Sequence, residues 1–172
     1  MRAADVTPEG GGGQAPTAGA ATGNRSEVVR SAETPGRWDG IPVRRYRPPS
    51  EAAEVGDAWP AVTRQLLAGG PESSCSYELR YFEIAPGGRS AHERHQHEHA
   101  VLVLRGEGEV LLAGERHTLR SGDLVRVAPG DPHQFKNTGE EPFGFLCVVD
   151  AERDRPVPLD DDDAPSCSLD PR

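Results

Sequence analysis

Short apolar runs, each followed by a turn that contains glycine or proline, succeed one another through the middle of the sequence. Tyr77–Ile84 ends at a Pro-Gly-Gly turn, and Leu124–Val127 is followed by Ala-Pro-Gly. The other runs of this kind are Ala100–Leu104, Glu109–Leu112, His117–Leu119 and Phe143–Val149. Strand-length runs at intervals of about 8–12 residues are typical of a β-sandwich or barrel. We therefore predict an all-β fold.

The apolar residues that a core requires are confined to the middle of the chain. Residues 7–27 contain no Val, Ile, Leu, Met or aromatic residue, and every aromatic residue lies between Trp38 and Phe145. A segment without apolar residues cannot offset the entropy lost on ordering. We therefore predict three parts, which are a disordered Gly/Ala-rich leader (1–37), a barrel (38–156) and a disordered acidic tail (157–172). We also expect both tails to be dispensable for stability.

The negative charge of the chain argues against several classes of partner. The formal net charge is −9 at pH 7, whereas nucleic acids and anionic membranes are bound through basic patches. Much of the excess lies in Asp160–Asp163, a run typical of a solvated tail. Apolar runs such as Ala100–Leu104 are far shorter than the roughly 18 residues that cross a membrane. We therefore expect neither a nucleic acid nor a membrane as a partner.

The cysteines and the N-terminal region bear on where the protein works. The three cysteines, Cys75, Cys147 and Cys167, are odd in number and lack the spacing of a structural metal site. The first residues contain no apolar segment of the kind found in secretory signal peptides. These features favour reduced thiols and a cytoplasmic protein.

A cluster of histidines marks the place where chemistry is expected. Four of the six histidines, His92, His95, His97 and His99, lie within eight residues, and Glu93 stands among them. Neutral imidazole is the commonest metal ligand in proteins. The cluster lies between a Gly-Gly turn and an apolar run, at the entrance to a strand, where barrels often carry binding sites. The sequence therefore predicts a metal site at the mouth of a barrel.

The stretch GGRSAHERHQHEHAVLVLRG resembles the first motif of the cupins. That motif reads Gly, five residues, His-x-His, three or four residues, Glu, six residues, Gly. Gly87, His95 and Gly106 match it. Glu93 stands where His is usual and His99 where Glu is usual, so the site keeps its total of histidines and carboxylates.

A second stretch, GDLVRVAPGDPHQFKN, resembles the second cupin motif. The glycines, the histidine and the asparagine of that motif are matched at Gly122, Gly130, His133 and Asn137. Ala128 stands where proline is usual. Two motifs in this order and at this separation are far more specific than either alone.

The resemblance covers roughly residues 60–150 and implies a double-stranded β-helix, the jelly-roll barrel of the cupins. It implies one divalent transition metal on Glu93, His95, His99 and His133, similar to the four-histidine manganese cupins with Glu in place of the first His. This set of nitrogen and oxygen donors suits manganese or iron, and also nickel, zinc or copper. Positions left open on such an ion imply a small-molecule substrate. The family implies a metal-dependent dioxygenase or other oxidoreductase, with catalytic side chains that the sequence does not identify.

Several alternatives remain open on the sequence alone. His97 has the same strand parity as His95 and His99, so it is either a further ligand or a neighbour of the ligands. His92 is out of phase with these residues. Glu93 is either a ligand or a carboxylate that orients a ligand histidine. The function is alternatively that of a non-catalytic small-molecule-binding or sensing cupin, or of a metal-dependent lyase or isomerase.

The resemblance also implies a homodimer, because cupin barrels commonly pair. The segment Ile41–Tyr46 is rich in residues that favour extended backbone and contains Pro42. We expect this segment to lie across the sheet edge of a neighbouring subunit as added β-structure.

Overall fold

The computed structural model describes residues 26–46 and 61–159, and these residues form eleven strands and no helix. The strands are β1 (Arg44–Arg45), β2 (Val62–Ala68), β3 (Tyr77–Ile84), β4 (Glu93–Arg94), β5 (His99–Arg105), β6 (Glu107–Leu112), β7 (Glu115–Arg120), β8 (Leu124–Val127), β9 (His133–Asn137), β10 (Phe143–Asp150) and β11 (Val157–Pro158). The predicted all-β class is therefore confirmed. No helix in this part of the chain is long and apolar enough to cross a membrane.

The strands form two antiparallel sheets that face each other as a jelly-roll. One sheet has the order β1-β2-β3-β10-β5-β8, and the other has the order β11-β4-β9-β6-β7. Buried apolar side chains from both sheets fill the space between them. The chain passes repeatedly from one sheet to the other, so that residues close in sequence can stand on opposite walls of the barrel.

Alternation along β10 shows which of its faces is the inner one. Phe143, Phe145 and Cys147 are buried, whereas Val148 is 39% exposed. On the neighbouring β3 the inward residues lie two apart, and Arg80 is one of them. A period of two is what a pleated strand imposes on its side chains.

Gly106 shows why a cupin motif glycine is required at the corner between β5 and β6. Its φ of 70° lies in the left-handed region that favours glycine. A Cβ atom here would also stand 2.4 Å from the carbonyl oxygen of Pro142. The corner thus depends on the absence of a side chain.

The apolar runs in the sequence did not reveal two strands, β2 and β9. β2 places Arg64 toward the barrel interior, and β9 begins with the inward His133. Polar residues at inward positions interrupt the apolar alternation by which strands are recognised. Both strands carry residues of the site described below, which is why their pattern is broken.

Contacts of the barrel extend beyond the bounds of 38–156 that the composition suggested. Gln65, which is 1% exposed, donates a hydrogen bond of 2.7 Å from Nε2 to the carbonyl of Gly36. Arg37 pairs with Glu83 at 3.0 Å. At the other end, β11 pairs with β4 although it belongs to the predicted tail. The rest of the predicted leader and tail, residues 1–25 and 160–172, lies outside the described residues.

The extended segment at residues 41–46 contains a strand that pairs within its own chain. Arg44 and Arg45 pair with Arg64 and Thr63 of β2, so the strand predicted to add to a neighbouring subunit extends its own sheet instead. The homodimer stays a prediction that this pairing neither requires nor forbids.

Removing the whole predicted leader is expected to destabilise the barrel. A chain without residues 1–37 loses the Gly36 carbonyl and leaves the buried amide of Gln65 short of an acceptor, at a cost of about 1–3 kcal/mol. We expect it to melt several degrees below a chain without residues 1–25, which keeps this contact. Thermal denaturation followed by circular dichroism makes the comparison. Equal melting temperatures would support the original expectation that the leader is dispensable.

Candidate metal centre

The candidate site stands where the two sheets meet at one end of the barrel. Glu93 on β4 lies directly opposite His133 on β9 in the five-stranded sheet. The chain then crosses to the six-stranded sheet, where His99 begins β5. His95 and His97 lie in this crossing segment. The pairing of β4 with β9 therefore brings the two sequence motifs together.

The structure brings the four predicted ligands close together, and His97 with them. The ring centroid of His95 lies 3.8 Å from that of His97, 4.3 Å from that of His99 and 4.8 Å from that of His133. The donor atoms form two groups, His95–His97–His99 and Glu93–His95–His133, and within each group they lie within 4.8 Å of one another. His95, which is 1% exposed, belongs to both groups.

Hydrogen bonds on the far side of the rings fix which nitrogen of each histidine is free. His95 Nδ1 lies 2.7 Å from the carbonyl oxygen of His97, and His133 Nδ1 lies 3.0 Å from that of Asp131. A carbonyl oxygen only accepts, so Nδ1 carries the proton in both rings and Nε2 carries a lone pair. A histidine that ligates a metal commonly has this arrangement, with its other nitrogen held by an acceptor.

His97 is oriented by a carboxylate from a distant part of the chain. Asp154 accepts a hydrogen bond of 2.6 Å from His97 Nδ1 and further bonds from the backbone N–H groups of Gln96 and His97. These bonds, with that from His97 first, lower the pKa of Asp154 to about 2. His97 Nε2 then lies 3.1 Å from His99 Nε2. Two nitrogens bound to one ion at about 2.1 Å stand roughly 3 Å apart, so this separation is that of neighbouring ligands.

The donor set fits a divalent transition metal. His95 Nε2 is buried and has no hydrogen-bond partner among the residues that the structure describes. Burial lowers the pKa of His99 and, to about 4, that of His133, so that both rings are neutral near pH 7, as ligands must be. Burial raises the pKa of Glu93 to about 7, an effect that the charge of Arg80 partly offsets. Imidazole nitrogens with a carboxylate oxygen are donors for manganese, iron, nickel, zinc or copper.

The two remaining histidines are not among these donors. His92 is buried, and its carbonyl accepts a hydrogen bond from the backbone N–H of Leu159. His117 lies on β7, with half of its side chain exposed, 3.8 Å from a carboxylate oxygen of Glu115. Neither belongs to the donor groups, which agrees with the position of His92 out of phase with the other histidines of its cluster.

A cavity of about 440 Å³ adjoins the donors. Phenylalanine rings form part of its wall, and Cys147 lies with Sγ 3.8 Å from His99 Nδ1 and 3.4 Å from a guanidinium nitrogen of Arg80. Arginines also line it, namely Arg64, Arg80, Arg153 and Arg155. Neither these arginines nor Asp154 belongs to a motif in the sequence that marks a functional residue. The signal available for Arg80 was a charged residue at an inward position of an apolar strand.

Comparison with known proteins agrees with the fold and with both motifs. The Cupin domain family matches residues 80–149. A curated relative from Rhodospirillum rubrum, 1-methylthio-D-xylulose 5-phosphate methylsulfurylase, is 39% identical over 134 residues, which are 77% of this chain and 81% of the relative.

Solved structures extend this likeness. A cupin 2 conserved barrel domain protein from Rhodopseudomonas palustris is 42% identical and has a TM-score of 0.66, covering 80% of this chain and 89% of the other. A cupin-2 domain protein from Rhodospirillum rubrum is 38% identical with a TM-score of 0.65, covering 78% and 85%. The architecture, the two motifs and these relatives together show that the chain belongs to the cupin superfamily.

Proposed function

We propose that the protein is a metal-dependent enzyme that removes the methylthio group from a small phosphorylated sugar. The observation that carries the proposal is a single cavity lined both by donors for a transition metal and by a group of arginines. A metal ion held by these donors can bind a carbonyl or hydroxyl oxygen of a substrate, and guanidinium groups can bind a phosphate. The relative named 1-methylthio-D-xylulose 5-phosphate methylsulfurylase supplies a substrate class with both features.

The chemistry of that substrate class agrees with the two sets of residues. In a 1-methylthio ketose phosphate the ketone at C2 lies next to the carbon that carries sulfur, and the phosphate lies at the other end. A thiol co-substrate would attack the sulfur atom and form a mixed methyl disulfide as the carbon–sulfur bond breaks. The electron pair left on C1 can then spread to the ketone oxygen, and C1 is finally protonated. A divalent metal, when bound, would supply Lewis acidity for that oxygen. The protein would contribute orientation of both ends and a wall of aromatic rings that excludes water.

We propose Glu93, His95, His99 and His133 as the residues that hold the metal, with His97 as a further donor at the same centre. The free Nε2 atom of His95, which is shared by both donor groups, supports this assignment. Manganese or iron is the expected ion. A dioxygenase activity, which the family resemblance implied, stays an untested prediction and is measured by the same assay below.

The proposed activity is tested with 1-methylthio-D-xylulose 5-phosphate as substrate. Protein loaded separately with Mn²⁺, Fe²⁺ or Zn²⁺, in the presence of an added small thiol as reductant, is expected to convert the compound into a 1-deoxy ketose phosphate and the mixed methyl disulfide of the thiol. Mass spectrometry measures both products. An oxygen electrode records O₂ uptake during the same reaction. Unchanged substrate with every metal would contradict the proposal, and stoichiometric O₂ uptake would favour a dioxygenase.

The His133→Ala variant is expected to lose most of its bound metal. It removes the proposed ligand on β9, so that this strand no longer contributes a donor opposite Glu93. Elemental analysis of the purified variant gives the metal content per chain. The His117→Ala variant is the control, because it removes an exposed histidine outside the donor groups. Full occupancy in His133→Ala would contradict the assignment.

The affinity for Mn²⁺ is expected to rise with pH because of Glu93. Its pKa of about 7 means that below pH 7 a cation must displace a proton from this carboxyl group. We expect the affinity to rise about tenfold per pH unit between roughly pH 5.5 and 6.5, and to level off above roughly pH 7.5.

Calorimetric titration of wild type and Glu93→Gln at several pH values isolates this contribution. The amide cannot ionise, so the variant should bind more weakly above pH 7 and show a smaller slope below it. Identical slopes in the two proteins would mean that Glu93 does not bind the metal.

A further inference from the structure

We infer that Arg64, Arg80 and Arg153 form a subsite for a phosphate monoester at the cavity next to the metal donors. The inference rests on the proposed function only for the identity of the ligand, a sugar phosphate. The burial, contacts and charge of these side chains support the subsite itself.

The three arginines come from separate elements and line the same cavity. Arg64 is on β2 and Arg80 on the adjacent β3, where Arg80 lies opposite Leu66 of β2 and opposite Cys147 of β10. Arg153 belongs to the segment that follows β10. Strand pairing and the return of the chain after β10 therefore place three guanidinium groups together that are far apart in sequence.

The positive charge of this group exceeds the negative charge that faces it. Glu78 lies 2.7 Å from Arg153 and 4.0 Å from Arg80 Nε, and Arg64 has no ion pair with any residue in 26–46 or 61–159. The other carboxylates of the cavity are engaged elsewhere, Asp154 with His97 and Glu93 among the metal donors. Among the described residues, Glu78 is thus the only carboxylate in ion-pair contact with the three guanidinium groups, and the charge of Arg80 also acts on Glu93.

Arg80 carries the strongest sign that a ligand is required. It is 5% exposed, and its Nε atom has no hydrogen-bond partner among the described residues. A buried charged donor atom without a hydrogen-bond partner is costly, so its position in a cavity beside the candidate metal donors supports a role in binding. Burial, and after it the charge of Arg80, lowers the pKa of Arg64, as expected where counter-charge is lacking.

A phosphate monoester matches this excess better than other small anions. It carries about −1.5 to −2 charges at pH 7, whereas a carboxylate carries one. The guanidinium groups of Arg64 and Arg80 lie over the rings of Tyr46 and Phe82, 5.9 Å and 5.3 Å from the ring centroids. Stacking on a ring uses the face of a guanidinium and leaves its N–H edge for phosphate oxygens.

The test compares the binding of D-xylulose 5-phosphate with that of D-xylulose, which lacks the phosphate, by calorimetry on the metal-loaded protein. Wild type is expected to bind the phosphate ester more tightly and to lose it in competition with inorganic phosphate. Arg64→Gln should raise the Kd of the ester about 10–100-fold, the loss of one charged hydrogen bond, and leave that of D-xylulose within about threefold. Arg120→Gln, which removes the same charge from β7 outside the cavity, should change neither.

Arg80→Lys provides a second variant that keeps the charge but loses the fork of donors, and it should weaken binding of the ester with metal content unchanged. Equal affinity of wild type for both sugars, absence of binding of the ester, or equal behaviour of Arg64→Gln and Arg120→Gln would overturn the subsite.

These outcomes are distinguishable from failure of the proposed function. If the ester binds in an Arg64-dependent way but the methylthio compound is not converted, the subsite stands and the proposed reaction falls. If the methylthio compound is converted with the same KM by wild type and Arg64→Gln, the reaction stands and the subsite falls.

Discussion

The backbone carbonyls of His97 and Asp131 each accept a hydrogen bond from the Nδ1–H of a histidine, and the geometry of the candidate metal centre depends on these two hydrogen bonds. They leave the Nε2 lone pairs of His95 and His133 free on the side where the other donors gather. Without them each ring could take the other tautomer or turn away, and its lone pair would no longer face the other donors. Asp154 does the same for His97 through a carboxylate. The chemistry of the site is thus set by groups that would never touch the metal.

The segment that follows β10 links the two halves of the cavity. Asp154 reaches His97 among the metal donors, while the neighbouring Arg153 reaches Glu78 on β3. Further along, β11 pairs with β4, the strand that carries Glu93. A change in the conformation of this segment would therefore alter the positions of both the donor residues and the arginines. The predicted boundary of 156 places Arg153 and Asp154 inside the barrel but assigns β11, which pairs with β4, to the tail.

Where the sequence predicted strands, it did so from short apolar runs that end at a turn. Tyr77–Ile84 and Leu124–Val127 have the bounds of β3 and β8. β2 and β9 were not predicted, because Arg64 and His133 occupy inward positions that an ordinary core would fill with apolar residues. At a functional site, polar residues stand where a core would have apolar ones, so the pattern that reveals a strand is weakest there.

The sequence by itself determined the all-β class and, through the spacing of the first cupin motif, indicated Glu93, His95 and His99 as candidate ligands. It also indicated His133 through the second motif. Only the tertiary structure decided that His97 joins the donors, since its orienting partner Asp154 is 57 residues away. The grouping of Arg64, Arg80 and Arg153 was likewise beyond the sequence. Local spacing fixes the direction of a side chain, but strand pairing and the course of the chain decide which distant charges it meets.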